Sequence, residues 1–178
     1  MRLNFDQVLE RAAAVRLVIF DVDGVLTDGR LYFDHEGREY KGFHARDGHG
    51  LKLLRQSGVA TAVISGRRSR SVALRCENLG IEHVYQGYED KRPALSALQQ
   101  ATGIPPDQMA CVGDDVLDLP LLTRVHLAIA VPDAHFAVKQ RVHWITETPG
   151  GRGAAREVCD LIMQAQGTFD RMLQRYLS

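Results

Sequence analysis

Leu17-Val18-Ile19-Phe20 forms an unbroken apolar run that stops abruptly at Asp21-Val22-Asp23-Gly24, with Asp28 shortly after. Four large apolar side chains with no polar alternation predict a strand buried on both faces, and such a strand belongs in a parallel sheet covered by helices on each side. The pattern recurs in "VATAVIS" at 59–65, "QMACVGDD" at 108–115, "LAIAV" at 127–131 and "HWIT" at 143–146, with a shorter run at 83–85. Helical stretches alternate with these runs. Asn4 and Gln7 form a capping-box variant opening a helix over 5–13, and Gly58 and Gly80 close helices over 47–56 and 69–79. Further helices are predicted over 91–101, 118–122 and 134–141, and from 153 onward with a break near Gly167. Residues 30–42 hold two short β-like runs around His35-Glu36-Gly37, a hairpin. The chain is expected to be a single α/β domain with a doubly wound parallel sheet, in which ligands bind beyond the carboxyl ends of the strands.

That rule directs attention to what stands at those ends: Asp21, Asp23, Ser65, Lys91 on the segment leading into the next helix, Asp114 and Asp115. Unit charges a few ångströms apart repel by several kcal/mol at an effective dielectric of about 20. Convergent carboxylates therefore call for a cation. With oxygen donors and no His or Cys among them, the ion expected is Mg²⁺, whose usual partners are phosphate oxygens. Asp21 is then suited to attack phosphorus as a nucleophile. Asp23 is suited to protonate the leaving alkoxide and later to take a proton from water. Ser65 and the backbone N–H groups beside it can hold phosphoryl oxygens, Lys91 can neutralise nucleophile and phosphoryl group, and Asp114 can anchor the metal.

Other readings weigh less. The 22 basic and 22 acidic residues cancel, against a general nucleic-acid or anionic-membrane binder. Cys76, Cys111 and Cys159 are few, distant and set in apolar surroundings, as for reduced core thiols of a cytoplasmic protein. Residues 1–16 lack the apolar core of a signal peptide, and no run is long enough to span a membrane. A phospho-accepting receiver module would place its acid pair first, whereas here the pair follows Lys91. Gly151-x-Gly153 lacks the third glycine of a dinucleotide loop. Asp28 is expected to be a hydrogen-bonding loop residue, His44 and His49 structural, and Trp144 core. Asp115 and Asp118 stay open between supporting the metal site and capping the following helix.

"DVDGVLTD", "ISGR", "DKRPAL" and "GDDVLDLP" resemble, in order, the four motifs of the haloacid dehalogenase superfamily. The resemblance implies that Asp21 is nucleophile and metal ligand. Asp23 would be the acid/base whose backbone carbonyl also reaches Mg²⁺, so that Asp21, Asp23 and Asp114 form the metal set. Asp rather than Thr at position 23 favours a phosphatase. The spacings of 44, 26 and 23 residues between Asp21, Ser65, Lys91 and Asp114 leave no room for a separate cap domain. A capless member must get its substrate enclosure elsewhere, and in such relatives oligomerisation is the usual way.

"DVDGVLTDGRLYF", "FHARDGHGLKLL", "ISGRRS" and "TPGGRGAAREV" are similar to one group of that superfamily, the phosphatases of 3-deoxy-D-manno-octulosonate 8-phosphate in lipopolysaccharide synthesis. The implied assembly is a homotetramer in which the hairpin, 30–41, and a C-terminal tail, 150–178, help close a neighbour's site. Substrate contacts implied are Asp47, Gly48, Gly66, Arg67 and Arg68, with Arg152 and Arg156 from the tail. The substrate expected is a small phosphorylated sugar acid, and a sialic-acid 9-phosphate or related nonulosonate phosphate is the alternative. Retention of a phosphatase-like domain merely for assembly with a nucleotidyltransferase is disfavoured by the presence of Asp21, Asp23, Ser65, Lys91 and Asp114 together. Removing the tail before Gly150 is expected to lower activity without unfolding the domain.

Overall fold

A computed structural model describes residues 2–177. Six parallel strands form one sheet in the order β5-β4-β1-β6-β7-β8. They comprise β1 (Leu17–Phe20), β4 (Ala60–Ser65), β5 (His83–Gln86), β6 (Met109–Gly113), β7 (Leu127–Ala130) and β8 (Trp144–Ile145). From β1 the chain winds outward through β4 and β5, then returns to β6 on the other side of β1 and winds out through β7 and β8. This reversal leaves a crevice at the carboxyl ends of β1, β4 and β6. Register brings those ends level, since Phe20 pairs with Val63 on one side and Val112 on the other.

The continuous apolar runs are explained by the two cores they serve. Val18 and Phe20 point into one, shared with helices α1 (Phe5–Ala13), α2 (Ala45–Ser57), α3 (Arg70–Leu79) and α7 (Ala154–Ala165). Leu17 and Ile19 point into the other, against α4 (Arg92–Thr102), α5 (Leu119–Leu122) and α6 (Phe136–Lys139). All four β1 side chains are fully buried, each contributing about 1.5–3 kcal/mol over exposure. The predicted capping box is present, with Asn4 Oδ1 accepting from the Gln7 N–H and Gln7 Oε1 from the Asn4 N–H. Cys76, Cys111 and Cys159 are buried and unbridged. Among the described residues no helix is long and apolar enough to cross a membrane.

The hairpin pairs β2 (Tyr32–Phe33) with β3 (Glu39–Tyr40) as a separate two-stranded ribbon. Asp34 closes its turn, accepting from the N–H groups of Glu36 and Arg38 at 2.9 Å each. Strands this short are marginal alone. Leu31, Tyr32, Phe33 and Tyr40 are all exposed, so the ribbon presents apolar side chains to solvent. No cap domain accompanies it among the described residues.

One expectation is reversed. The segment from Gly150 is not a tail laid over a finished domain. In α7, Val158, Cys159, Ile162 and Met163 are fully buried against α1 and α2, because its apolar positions repeat at helical spacing and complete one core. Helix α8 (Phe169–Gln174) follows the predicted break at Gly167 and buries only Met172.

Candidate active site

The crevice is a cavity of about 360 Å³, lined in part by Asp21, Asp23, Ser65, Gly66, Arg67, Lys91, Asp114, Asp115 and Asp118. Its volume is that of a small-molecule site. Asp21 directly follows β1, and its N–H donates to Val112 O at 3.0 Å, which fixes the strand tip to β6. The chain then turns sharply through Val22–Leu26, with Gly24 at φ +92°. Only glycine suits that position, since a Cβ there would lie 2.1 Å from Asp114 Oδ2.

Lys91 enters from the start of α4 and is almost fully buried. Its Nζ donates to Asp21 Oδ1 at 2.6 Å, Asp118 Oδ1 at 2.5 Å and Ile64 O at 3.0 Å. Burial by itself would lower its pKa, but the Asp21 and Asp118 carboxylates outweigh this and hold it above the ordinary lysine value. One ammonium does not neutralise the acids around it. Burial, then the charge of Asp118, pushes Asp21 up to about 7 against the pull of Lys91. Burial, then Asp21, Asp118 and Asp115, pushes Asp114 up to about 8.

The residues fit a hard divalent cation. Carboxylate oxygens of Asp21, Asp114 and Asp118 lie within 4.8 Å of one another, and Asp114 Oδ1 is buried without a hydrogen-bond partner. Three convergent oxygen donors, one of them orphaned, are the donor set Mg²⁺ takes.

Asp23 lines the same cavity, but its carboxylate turns away from this cluster. Oδ1 accepts from Lys41 Nζ, and Oδ2 lies 3.8 Å from Arg67 Nε. In the expected metal set, then, the side chains of Asp21 and Asp114 converge while that of Asp23 is engaged elsewhere, leaving its backbone carbonyl as the expected donor. Asp118 joins the cluster instead. Its Oδ2 accepts from the N–H groups of Asp114 and Asp115, so it shapes the loop as well as pairing Lys91. Asp115 caps the short turn Val116–Asp118 by accepting from the Val116 N–H at 2.7 Å.

Ser65 is buried at the end of β4, where its Oγ accepts from the Arg67 N–H at 3.3 Å. Arg68 packs along Gly87 and is not among the cavity's lining residues. Asp47, Gly48, Arg152 and Arg156 also lie outside it. Asp47 is buried in α2 and accepts from the Arg156 N–H at 2.8 Å, tying α2 to the first turn of α7. Gly48 and Gly50 admit the side chain of Arg75 and the backbone of Arg156, where a Cβ would lie 2.2 Å and 3.1 Å from them. Within one subunit these three are packing residues. Arg152 and Arg156 line a separate cleft of about 500 Å³ with Arg46 and Glu147.

Asp28 accepts from the Arg30 N–H, His49 stacks edge-on against Tyr176, and Trp144, half-buried, packs on the core while also lining the cleft of Arg152 and Arg156. Glycine does not build a dinucleotide loop at 151 but lets the Gly151 N–H donate to Val25 O at 2.9 Å, beside the nucleophile turn. Missed by sequence reasoning were Lys41 and Glu39. Their charge on an otherwise exposed hairpin was the only signal, and it reads equally as solubility.

Comparison with known proteins places the chain in a family. A family model of haloacid dehalogenase-like hydrolases matches residues 81–157. The 3-deoxy-D-manno-octulosonate 8-phosphate phosphatase of Yersinia pestis is 46% identical over 165 residues, covering 93% of this chain and 88% of that protein. Its counterpart from Escherichia coli K12 is 45% identical, covering 92% and 87%. The crystal structure of the phosphatase of that name from Moraxella catarrhalis, in complex with a magnesium ion, a phosphate ion and a KDO molecule, superposes with a TM-score of 0.94 at 39% identity, covering 97% of this chain and 99% of that one. A cobalt-bound form from Haemophilus influenzae superposes at 0.90 with 40% identity, covering 94% and 99%. The chain belongs to the haloacid dehalogenase-like hydrolases, in the family of the 3-deoxy-D-manno-octulosonate 8-phosphate phosphatases.

Proposed function

We propose that this protein is a Mg²⁺-dependent phosphomonoesterase that hydrolyses 3-deoxy-D-manno-octulosonate 8-phosphate to the free sugar acid and phosphate, in lipopolysaccharide biosynthesis. The observation that carries the reading is the buried junction of Asp21, Lys91, Asp114 and Asp118 at the reversal point of a sheet whose relatives bear this activity. Those relatives support the octulosonate ester over a nonulosonate phosphate.

In this reading an Asp21 carboxylate oxygen attacks phosphorus, and the bond from phosphorus to the sugar oxygen breaks. Asp23 donates a proton to the departing alkoxide. It then removes a proton from the water that attacks the aspartyl-phosphate, which releases phosphate and restores Asp21. Lys91 keeps Asp21 oriented and offsets charge as the phosphoryl group arrives, while the Ser65 hydroxyl and the Gly66 N–H are available to phosphoryl oxygens. Mg²⁺, held by Asp21, Asp114 and the Asp23 carbonyl with Asp118 beside them, supplies the positive charge that lets these acids ionise together and draws charge from the phosphoryl oxygens.

The enzyme is further read as a cytoplasmic homotetramer, with the hairpin at 30–41 doing what a cap does elsewhere. Exposed Leu31, Tyr32, Phe33 and Tyr40 support assembly, and three unbridged buried thiols support a reducing compartment. Neighbouring subunits would bring Arg68, Arg152 and Arg156 nearer a bound sugar acid than one subunit does, whereas Asp47 and Gly48 stay buried behind them. A phosphate-release screen over sugar phosphates tests the substrate. The octulosonate ester should give the highest kcat/KM, and a higher value for a nonulosonate 9-phosphate would reassign it.

A further inference from the structure

The Lys41 side chain is 1% exposed, although it follows a ribbon that is otherwise open to solvent. Burying so long a side chain costs rotamer freedom worth about 1.5–2 kcal/mol, and its charge must find partners. It has two. Nζ binds Asp23 Oδ1 and lies 3.2 Å from Glu39 Oε1. Glu39 in turn accepts from Arg67 at 2.8 Å. Burial works to raise Glu39, yet hydrogen bonds from Arg67, Ser69 and Lys41 pull it below the ordinary glutamate value, so it stays an anion between two cations. Three segments are thus linked through two carboxylates, Asp23 and Glu39: the nucleophile turn by Asp23, the hairpin by Glu39 and Lys41, and the loop after β4 by Arg67.

The two oxygens of Asp23 are left unequal. Oδ1 is gripped by Lys41, whereas Oδ2 lies 3.8 Å from Arg67 Nε, beyond hydrogen-bond reach, in a residue that lines the cavity. We propose that Lys41 is a positioning residue, which holds Asp23 by Oδ1 from the hairpin so that Oδ2 faces the leaving group, and so couples hairpin placement to proton transfer. The proposal rests on the reading of Asp23 as the proton-transfer group. A plain ion pair anchoring the ribbon would affect all substrates alike. In the steps up to leaving-group departure, a positioning device for Asp23 matters only where the leaving group needs a proton, and its later role toward water, common to all substrates, lies outside kcat/KM.

The test compares kcat/KM, which reports the steps through leaving-group departure, for octulosonate 8-phosphate and for p-nitrophenyl phosphate, whose phenolate leaves unprotonated. General acids contribute on the order of 10²–10⁴ in rate. Lys41→Met should lose at least about tenfold on the sugar ester, mainly in kcat, and less than about threefold on the aryl ester. Lys41→Arg should recover most of the loss. Equal losses on both esters, or none on either, overturn the proposal. Asp23→Asn, measured alongside, should show the same selectivity more strongly. If it shows none, the role of Asp23 falls and the proposal with it; if it alone is selective, only the Lys41 proposal falls. Should Lys41→Met not fold, Glu39→Gln, which loosens the same grip, must show a smaller loss of the same selectivity for the proposal to stand.

Discussion

Lys91 Nζ lies 2.6 Å from Asp21 Oδ1, and both groups are buried at the carboxyl end of β1. The ammonium aims one carboxylate oxygen and balances the charge that accumulates on it. Lys91→Met should therefore remove transition-state stabilisation worth at least about 100-fold in kcat, the scale of a lost electrostatic donor. It should also destabilise the fold, because Asp21 and Asp118 lose their shared cation. Steady-state kinetics beside a thermal melt check both, and a variant within threefold of wild type in kcat would remove Lys91 from the mechanism.

The metal-free carboxylates make stability and metal affinity depend on pH in opposite directions. Asp21 and Asp114 are held up to about 7 and about 8, whereas each ionises near 4 in an unfolded chain. Between those limits the folded state holds protons that the unfolded state has lost. The contribution of these groups is therefore full below pH ~4 and is lost as pH rises toward 8. Mg²⁺ competes with the same protons, so its affinity should rise across that window. The rise in Tm on adding Mg²⁺ should be larger at pH 8 than at pH 6, with protons released on binding. A Tm increment independent of pH would show that these carboxylates do not receive the ion.

Asp21→Asn removes the nucleophilic carboxylate and its negative charge toward the metal, leaving only a neutral amide oxygen. Turnover should fall below detection, and no phosphorylated protein should appear by intact mass, with the fold retained because asparagine is nearly isosteric. Chelation should act on wild type in the same way. Phosphate release that continued undiminished in EDTA would refute the metal requirement.

Much of this was legible in the chain because its signals are local. An apolar run with no alternation states that both sheet faces are covered, and the acids that interrupt it mark strand ends. Gly58 and Gly80 stop helices where left-handed backbone is needed, at φ +107° and +70°. What was not legible depends on distant segments meeting. Asp23 and Lys41 are 18 residues apart, and nothing local says that they pair. Asp47 and Gly48 were expected from the family resemblance to touch substrate, yet in this subunit Asp47 is buried against the Arg156 N–H and Gly48 admits Arg75. Helix α7 was misjudged because its apolar spacing could have served a subunit interface as well as the core.

Gly150 gives a further prediction, about how α7 is seated. A Cβ there would lie 1.7 Å from the Gly24 carbonyl oxygen, a backbone atom that cannot swing aside. Gly150→Ala must push the turn carrying Asp23 and Gly24 away from its place beside Asp114. Overpacking of this kind costs about 1–3 kcal/mol, and Tm should fall by about 2–4 °C for each. Activity should drop by more than the melt accounts for, which kinetics well below Tm would reveal. Wild-type kinetics at 25 °C in a destabilised variant would separate Gly150 from the site.

Truncation distinguishes the two C-terminal helices. Ending the chain before Gly150 removes Val158, Cys159, Ile162 and Met163 from the core, along with the Arg156 N–H that satisfies buried Asp47. Four such side chains, each worth about 1.5–3 kcal/mol, match the whole net stability of a typical domain. That variant should not fold, and amide dispersion or a cooperative melt would reveal it if it did. Ending the chain at Gly167 instead deletes α8, whose only fully buried side chain is Met172, with Phe169 packed half-buried beside it. This shorter loss should leave a cooperative transition with Tm lowered by several degrees, since one buried methionine and one half-buried phenylalanine are together worth about 2–4 kcal/mol. If the first truncation folds and the second does not, α8 rather than α7 closes the core.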